Sequence, residues 1–72
     1  MIIDIEPTNG RKSFYNKAKI VINENKHQLL SYNTIICEYN IDSGEFIMIY
    51  NNKLSNTSRI HLTEFKKLYN IK

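Results

Sequence analysis

The chain has 72 residues and a net charge of +3, from ten Lys and Arg against seven Asp and Glu, which leaves room for one domain only. At this size a single core is barely sufficient without a metal, a disulfide or a partner. The lone Cys37 can form neither an internal disulfide nor a zinc site, which points to a reducing compartment.

Residues 1–5 read as a short strand, with Ile3 and Ile5 on one face and Ile2 opposite, ended by Pro7 because proline cannot donate to a ladder. Residue 4 is an aspartate where a signal peptide needs a positive start, and no segment is apolar enough to span a bilayer. The expectation is a single α+β domain over residues 1–72, soluble and cytoplasmic, with no membrane partner. Pro7-Thr8-Asn9-Gly10 has the composition of a tight turn, since Asn and Gly both tolerate positive φ. Such a turn would present Arg11 and Lys12 at an exposed corner beside Phe14 and Tyr15.

Residues 13–23 alternate, with Tyr15, Lys17, Lys19 and Val21 on one side and Phe14, Ala18, Ile20 and Ile22 on the other. The pattern is that of a half-buried strand whose second set faces in. Asn23-Glu24-Asn25-Lys26 is polar and turn-forming, with His27 at its end. A long β-prone run follows over residues 27–41, and neither of its faces is purely apolar. A bulge or bend near residues 31–34 would let Leu29 or Leu30 and the Ile35-Ile36 pair all reach the core. Asp42-Ser43-Gly44-Glu45 reads as a hairpin turn, and residues 46–50 as a strand with Phe46, Met48 and Tyr50 on one face.

From Ser55 the period becomes helical. Leu62, Phe65, Leu68 and Tyr69 fall on one arc with His61 at its edge, while Lys66 and Lys67 point away. Asn56 or Thr57 is the expected N-cap, because a side-chain oxygen there would satisfy the first amides. The rival reading takes residues 58–62 as a strand, with Thr63 capping a shorter helix. The predicted fold is an antiparallel sheet of three or four strands with one C-terminal helix packed on it, α+β in class. Its core would contain Ile20, Ile22, Ile36, Met48, Phe65 and Leu68. An edge strand offers a route to a homodimer, so the chain is expected as a monomer or a homodimer.

Charge is unevenly placed. Arg11, Lys12, Lys17, Lys19 and Lys26 gather before the middle of the chain, and Lys53, Arg59, Lys66, Lys67 and Lys72 after it, around an acidic stretch with Glu38, Asp42 and Glu45. Two basic ends could form one face that attracts nucleic acid or an acidic protein, or could be a solvated lysine-rich surface.

No catalytic set emerges. His27 and His61 are the ordinary general bases; His61 has Glu64 three residues on, and a structural or capping part suits it better than catalysis. Cys37, flanked by Ile36 and Glu38, reads as a buried, inert strand residue. The acidic residues are scattered singly, which argues against a metal, and no glycine-rich phosphate loop exists, so no cofactor is expected. What is left is a basic–aromatic surface. Arg11, Lys12, Tyr15, Lys17, Tyr32, Arg59 and His61 are the candidate contact residues, with cations for phosphate or carboxylate and rings for stacking.

Three blocks in order carry a resemblance: Thr8-Asn9-Gly10-Arg11-Lys12-Ser13-Phe14-Tyr15 with Lys17-Ala18, then Ser31-Tyr32-Asn33-Thr34-Ile35-Ile36, then Ser55-Asn56-Thr57-Ser58 with His61-Leu62-Thr63-Glu64-Phe65. They resemble a family of short proteins from bacteriophages and prophages of Firmicutes. The chain departs from the family pattern in placing Ile60 between Arg59 and His61. The resemblance implies a mobile-element origin and carries over no catalytic residue. The functional expectation is therefore a non-enzymatic phage-type module that blocks or modulates a host protein, with a defence nuclease complex such as a CRISPR effector as one target. The alternatives are a DNA- or RNA-binding accessory protein and a nucleotide-sequestering protein.

Overall fold

The structure is a computed structural model that describes residues 1–5 and 17–71. Five strands, β1 (Ile2–Asp4), β2 (Ala18–Asn23), β3 (Lys26–Ser31), β4 (Thr34–Asn40) and β5 (Phe46–Met48), precede one helix, α1 (Asn56–Tyr69). The strands lie in sequence order, each antiparallel to the next. The class is α+β as expected, but the sheet has five strands rather than three or four. The extra strand comes from the run over residues 27–41, which folds back on itself at Tyr32-Asn33 so that Ser31 pairs with Thr34.

The register explains why that run had no clean apolar face. Leu29 pairs with Cys37 and Leu30 with Ile35, so Ile36 is an extra residue on β4. A bulge of this kind shifts the strand's alternation by one position. Ile36 and Cys37 are consequently both buried, although they are adjacent in sequence. The Ile36 carbonyl accepts the amides of both Ile49 and Tyr50, at 2.9 and 3.0 Å, and β5 ends at Met48 instead of continuing to Tyr50.

The turns use side-chain chemistry and left-handed backbone. Asn40 Oδ1 accepts from the Asp42 and Ser43 amides at 2.9 and 3.1 Å, and Gly44 follows at φ 75°. In the two-residue turns after β2 and β3, Glu24 and Tyr32 take φ of 55° and 56°. His27 is not at the turn but within β3, opposite Ile22 and Tyr39.

The core lies between the sheet and α1. Ala18 and Ile20 from β2, Leu29 from β3, Ile36 and Cys37 from β4, Ile5 and the fully buried Phe65 form it, with Ile22, Tyr39 and Leu62 packed at its margin. Met48 and Leu68, placed in the core by periodicity, are instead exposed. The helix is rotated from the expected arc: its buried positions are Ser58, His61, Glu64 and Phe65, while Leu68 faces solvent. Ser58 and His61 both hydrogen-bond Ser31 at the end of β3, which turns this side of the helix toward the sheet. At the far end Asn70 turns left-handed and Ile71 donates to Lys66 O at 2.9 Å, closing the helix in a Schellman-type arrangement. No described helix is long and apolar enough to cross a membrane.

Candidate functional site

The hairpin between β3 and β4 sets Tyr32 at one end of the sheet, beside the start of α1. The Tyr32 amide donates to the Lys17 carbonyl at 2.7 Å, which ties the turn to the chain entering β2. A bulky residue at positive φ is a rare and strained choice, and such strain accumulates at functional sites. Tyr32 is nevertheless 47 % exposed. On its inner side it meets the His61 imidazole, with ring centroids 5.8 Å apart and planes tilted by 43°.

Beneath the turn lies a polar junction of sheet and helix. Ser31 Oγ is 3.0 Å from Ser58 Oγ and 2.8 Å from His61 Nδ1. A hydroxyl both donates and accepts, so the Ser58–Ser31 and Ser31–His61 Nδ1 hydrogen bonds can form with either imidazole tautomer. Ser31 and His61 are 1 % and 0 % exposed, and burial lowers the His61 pKa from its ordinary 6.5, holding the ring neutral at pH 7. A serine at this distance from a histidine has the spacing of a nucleophile and its base. Buried as it is, the pair serves as a tether between β3 and α1.

The helix start follows from this tether. Ser55 is the N-cap, not Asn56 or Thr57; its Oγ accepts from the Ser58 amide at 3.2 Å. Starting the helix there turns Ser58 and His61 toward Ser31. The long helical reading of this segment holds, and the strand reading of residues 58–62 does not.

Between the hairpin and the helix start is an open concavity of about 210 Å³, bordered by Tyr32, Thr34, Tyr50, Lys53, Ser55 and Ser58. It combines one cation, several hydroxyls and two aromatic rings, and can hold a polar or anionic group of another molecule. Sequence reasoning missed Lys53, Thr34 and Tyr50, whose arrival here depends on β4 and on the loop after β5 lying side by side.

Of the predicted contact residues, Lys17 and Tyr32 are brought together and exposed. Arg59 is exposed in the first turn of α1, one residue past Ser58 and thus about 100° around the helix from the buried junction. His61 is not at an accessible edge; it lies under Tyr32 and can affect a contact only by supporting that ring. Arg11, Lys12 and Tyr15 lie outside the described residues.

A second aromatic group closes the other end of the helix. Tyr69 rings contact Phe65, Tyr39 and His27 at centroid distances of 4.9, 5.2 and 5.3 Å, and the Tyr69 hydroxyl hydrogen-bonds His27 Nδ1. Burial raises the Tyr69 pKa, keeping the phenol protonated. Glu64, three residues after His61, makes an ion pair with Lys67 at 3.0 Å. Cys37 is buried, and desolvation pushes its thiol up to about 12, against smaller opposing effects of a Leu29 backbone hydrogen bond and the Lys66 charge. Among the described residues no group of three His, Cys, Asp or Glu side chains could hold a metal ion.

No curated protein and no solved structure matches the chain. A family profile matches residues 3–72, nearly the full length, and the chain belongs to that family, DUF8033, a family of unknown function.

Proposed function

We propose that this chain is a small non-enzymatic binding module of phage type, which blocks or modulates a host protein by direct contact and serves as an anti-defence inhibitor. The observation that carries the reading is Tyr32: an exposed residue on a left-handed backbone, in ring contact with His61, tied through its amide to the Lys17 carbonyl and bordering the concavity with Lys53. Aromatic side chains with few rotatable bonds are common anchors of protein interfaces. The resemblance to phage and prophage proteins supports a host protein as the partner, with a defence nuclease complex such as a CRISPR effector as the first target to try.

The test pairs wild-type protein with Tyr32→Asn, which suits the left-handed turn and removes the ring. A host protein retained by the wild type, lost with Tyr32→Asn, and inhibited when the two are mixed is the expected result. Equal retention by both proteins, or retention without inhibition, overturns it.

A second reading has support in Lys17 and Tyr32, both exposed and joined through their backbones, since a cation and a ring on one stretch of surface suit a single nucleic-acid strand. In that reading Arg11, Lys12, Tyr15, Lys17 and Arg59 contact the strand. Binding to DNA or RNA that falls steeply with salt would favour it over protein blocking, and no binding at low ionic strength would eliminate it.

A further inference from the structure

The free side of β5 is an unpaired edge of the sheet among the described residues. Asn40 donates to Glu45 O and Ile49 donates to Ile36 O, each at 2.9 Å, and Glu38 stands opposite Ile47 between them. Bonded and non-bonded pairs alternate along an antiparallel ladder, so the Ile47 amide and carbonyl face β4. Those of Phe46 and Met48 point away from it, and among the described residues no strand pairs with that side. Exposed edges are ordinarily guarded by a charge, a proline or a cover. Residues 46–52 contain no charge and no proline, whereas the opposite edge strand β1 carries Asp4. Exposed apolar side chains also gather here: Ile41, Ile47, Met48 and Ile49 are 47, 43, 38 and 42 % exposed.

We propose that β5 is a homodimer interface, at which two copies of this chain pair their β5 strands antiparallel across a two-fold axis through Ile47. In this register Phe46 of one copy stands opposite Met48 of the other, and the outward amides and carbonyls of both residues in both copies are bonded. The two Ile47 side chains meet on the sheet face remote from α1. A second copy fits the charge pattern as well as the backbone. Glu45 of one copy abuts Ile49 of the other, so the two Glu45 side chains stand four residues apart along the joint, about 13 Å. Both copies carry the same net charge of +3, yet the paired stretch brings no cation against a cation. The product is one continuous ten-stranded sheet, an isologous contact of the kind most homodimers use. The strand is short, so the association is expected to be concentration-dependent rather than permanent.

Sedimentation equilibrium of the full chain from micromolar to millimolar concentration tests this. The expected weight-average mass rises from one chain to two. Met48→Pro removes only the outward amide, because that N–H takes no part in the β4 ladder, and should leave a folded monomer. Ile47→Lys places two like charges on the two-fold axis and should do the same; far-ultraviolet circular dichroism confirms the fold of each variant. A single-chain mass throughout, or a dimer retained by either variant in folded form, overturns the proposal. A monomer whose Phe46 and Met48 amides become protected from hydrogen exchange only when another protein is added overturns it in favour of a foreign strand.

Discussion

Ser31 Oγ lies 2.8 Å from His61 Nδ1, and with Ser58 Oγ 3.0 Å away this contact joins the last residue of β3 to the first turns of α1. The junction is polar and buried, and its hydrogen bonds specify one helix orientation because a rotated helix would strand these groups away from water.

Ser31→Ala is therefore expected to destabilise the protein by about 1–3 kcal/mol, since it leaves two buried polar groups short of a partner. That is a large fraction for so small a domain. Chemical denaturation measures it. The double change Ser31→Ala with Ser58→Ala should cost less than the sum of the single changes, because both remove one shared network.

Stability should also fall in mild acid. Burial depresses the His61 pKa in the folded state below the ordinary 6.5, so the unfolded chain binds more protons between the two values. The contribution is complete above about pH 6.5 and is lost progressively as the pH drops below it. Denaturant midpoints at pH 7.5 and 5.5 should differ in that direction, and His61→Asn should reduce the difference.

Cys37 should resist thiol reagents at pH 8. Its side chain is fully buried and its thiol is pushed up to about 12, so the folded protein offers neither access nor thiolate. Reaction with a chromogenic disulfide is expected to be complete in denaturant. Under native conditions it should proceed only at the rate of opening of the core; fast labelling of the folded protein would contradict the buried position.

Tyr32→Asn should leave the fold at least as stable as the wild type, despite the loss of an aromatic contact with His61. Left-handed backbone costs an ordinary L-residue about 1–2 kcal/mol, and asparagine bears it more easily. Thermal unfolding gives the comparison. A variant much less stable than the wild type would mean that Tyr32 is retained for packing rather than for contact.

Much of this architecture was legible locally. The inward set Ala18, Ile20 and Ile22, the turn over residues 42–45 and the C-terminal helix all follow from period and turn chemistry within a few residues. Arg11, Lys12 and Tyr15, the most conspicuous cluster in the sequence, lie outside the described residues, and the site that can be described forms around Tyr32 instead. His27 and Tyr69 gave no sign of their pairing, being 42 positions apart in the chain.

By itself the sequence determined the α+β class, the C-terminal position of the helix, the burial of Cys37 and the lack of any second cysteine to staple so small a core, because composition and short-range periodicity need no partner. The tertiary structure decided the rest. The bulge at Ile36, the strained turn at Tyr32, the cap at Ser55 and the rotation that buries His61 rather than Leu68 each depend on a contact between distant segments. Backbone pairing across the sheet and the demand that buried polar groups find partners overrode the local preferences for a cap at Asn56 or Thr57 and for Leu68 in the core.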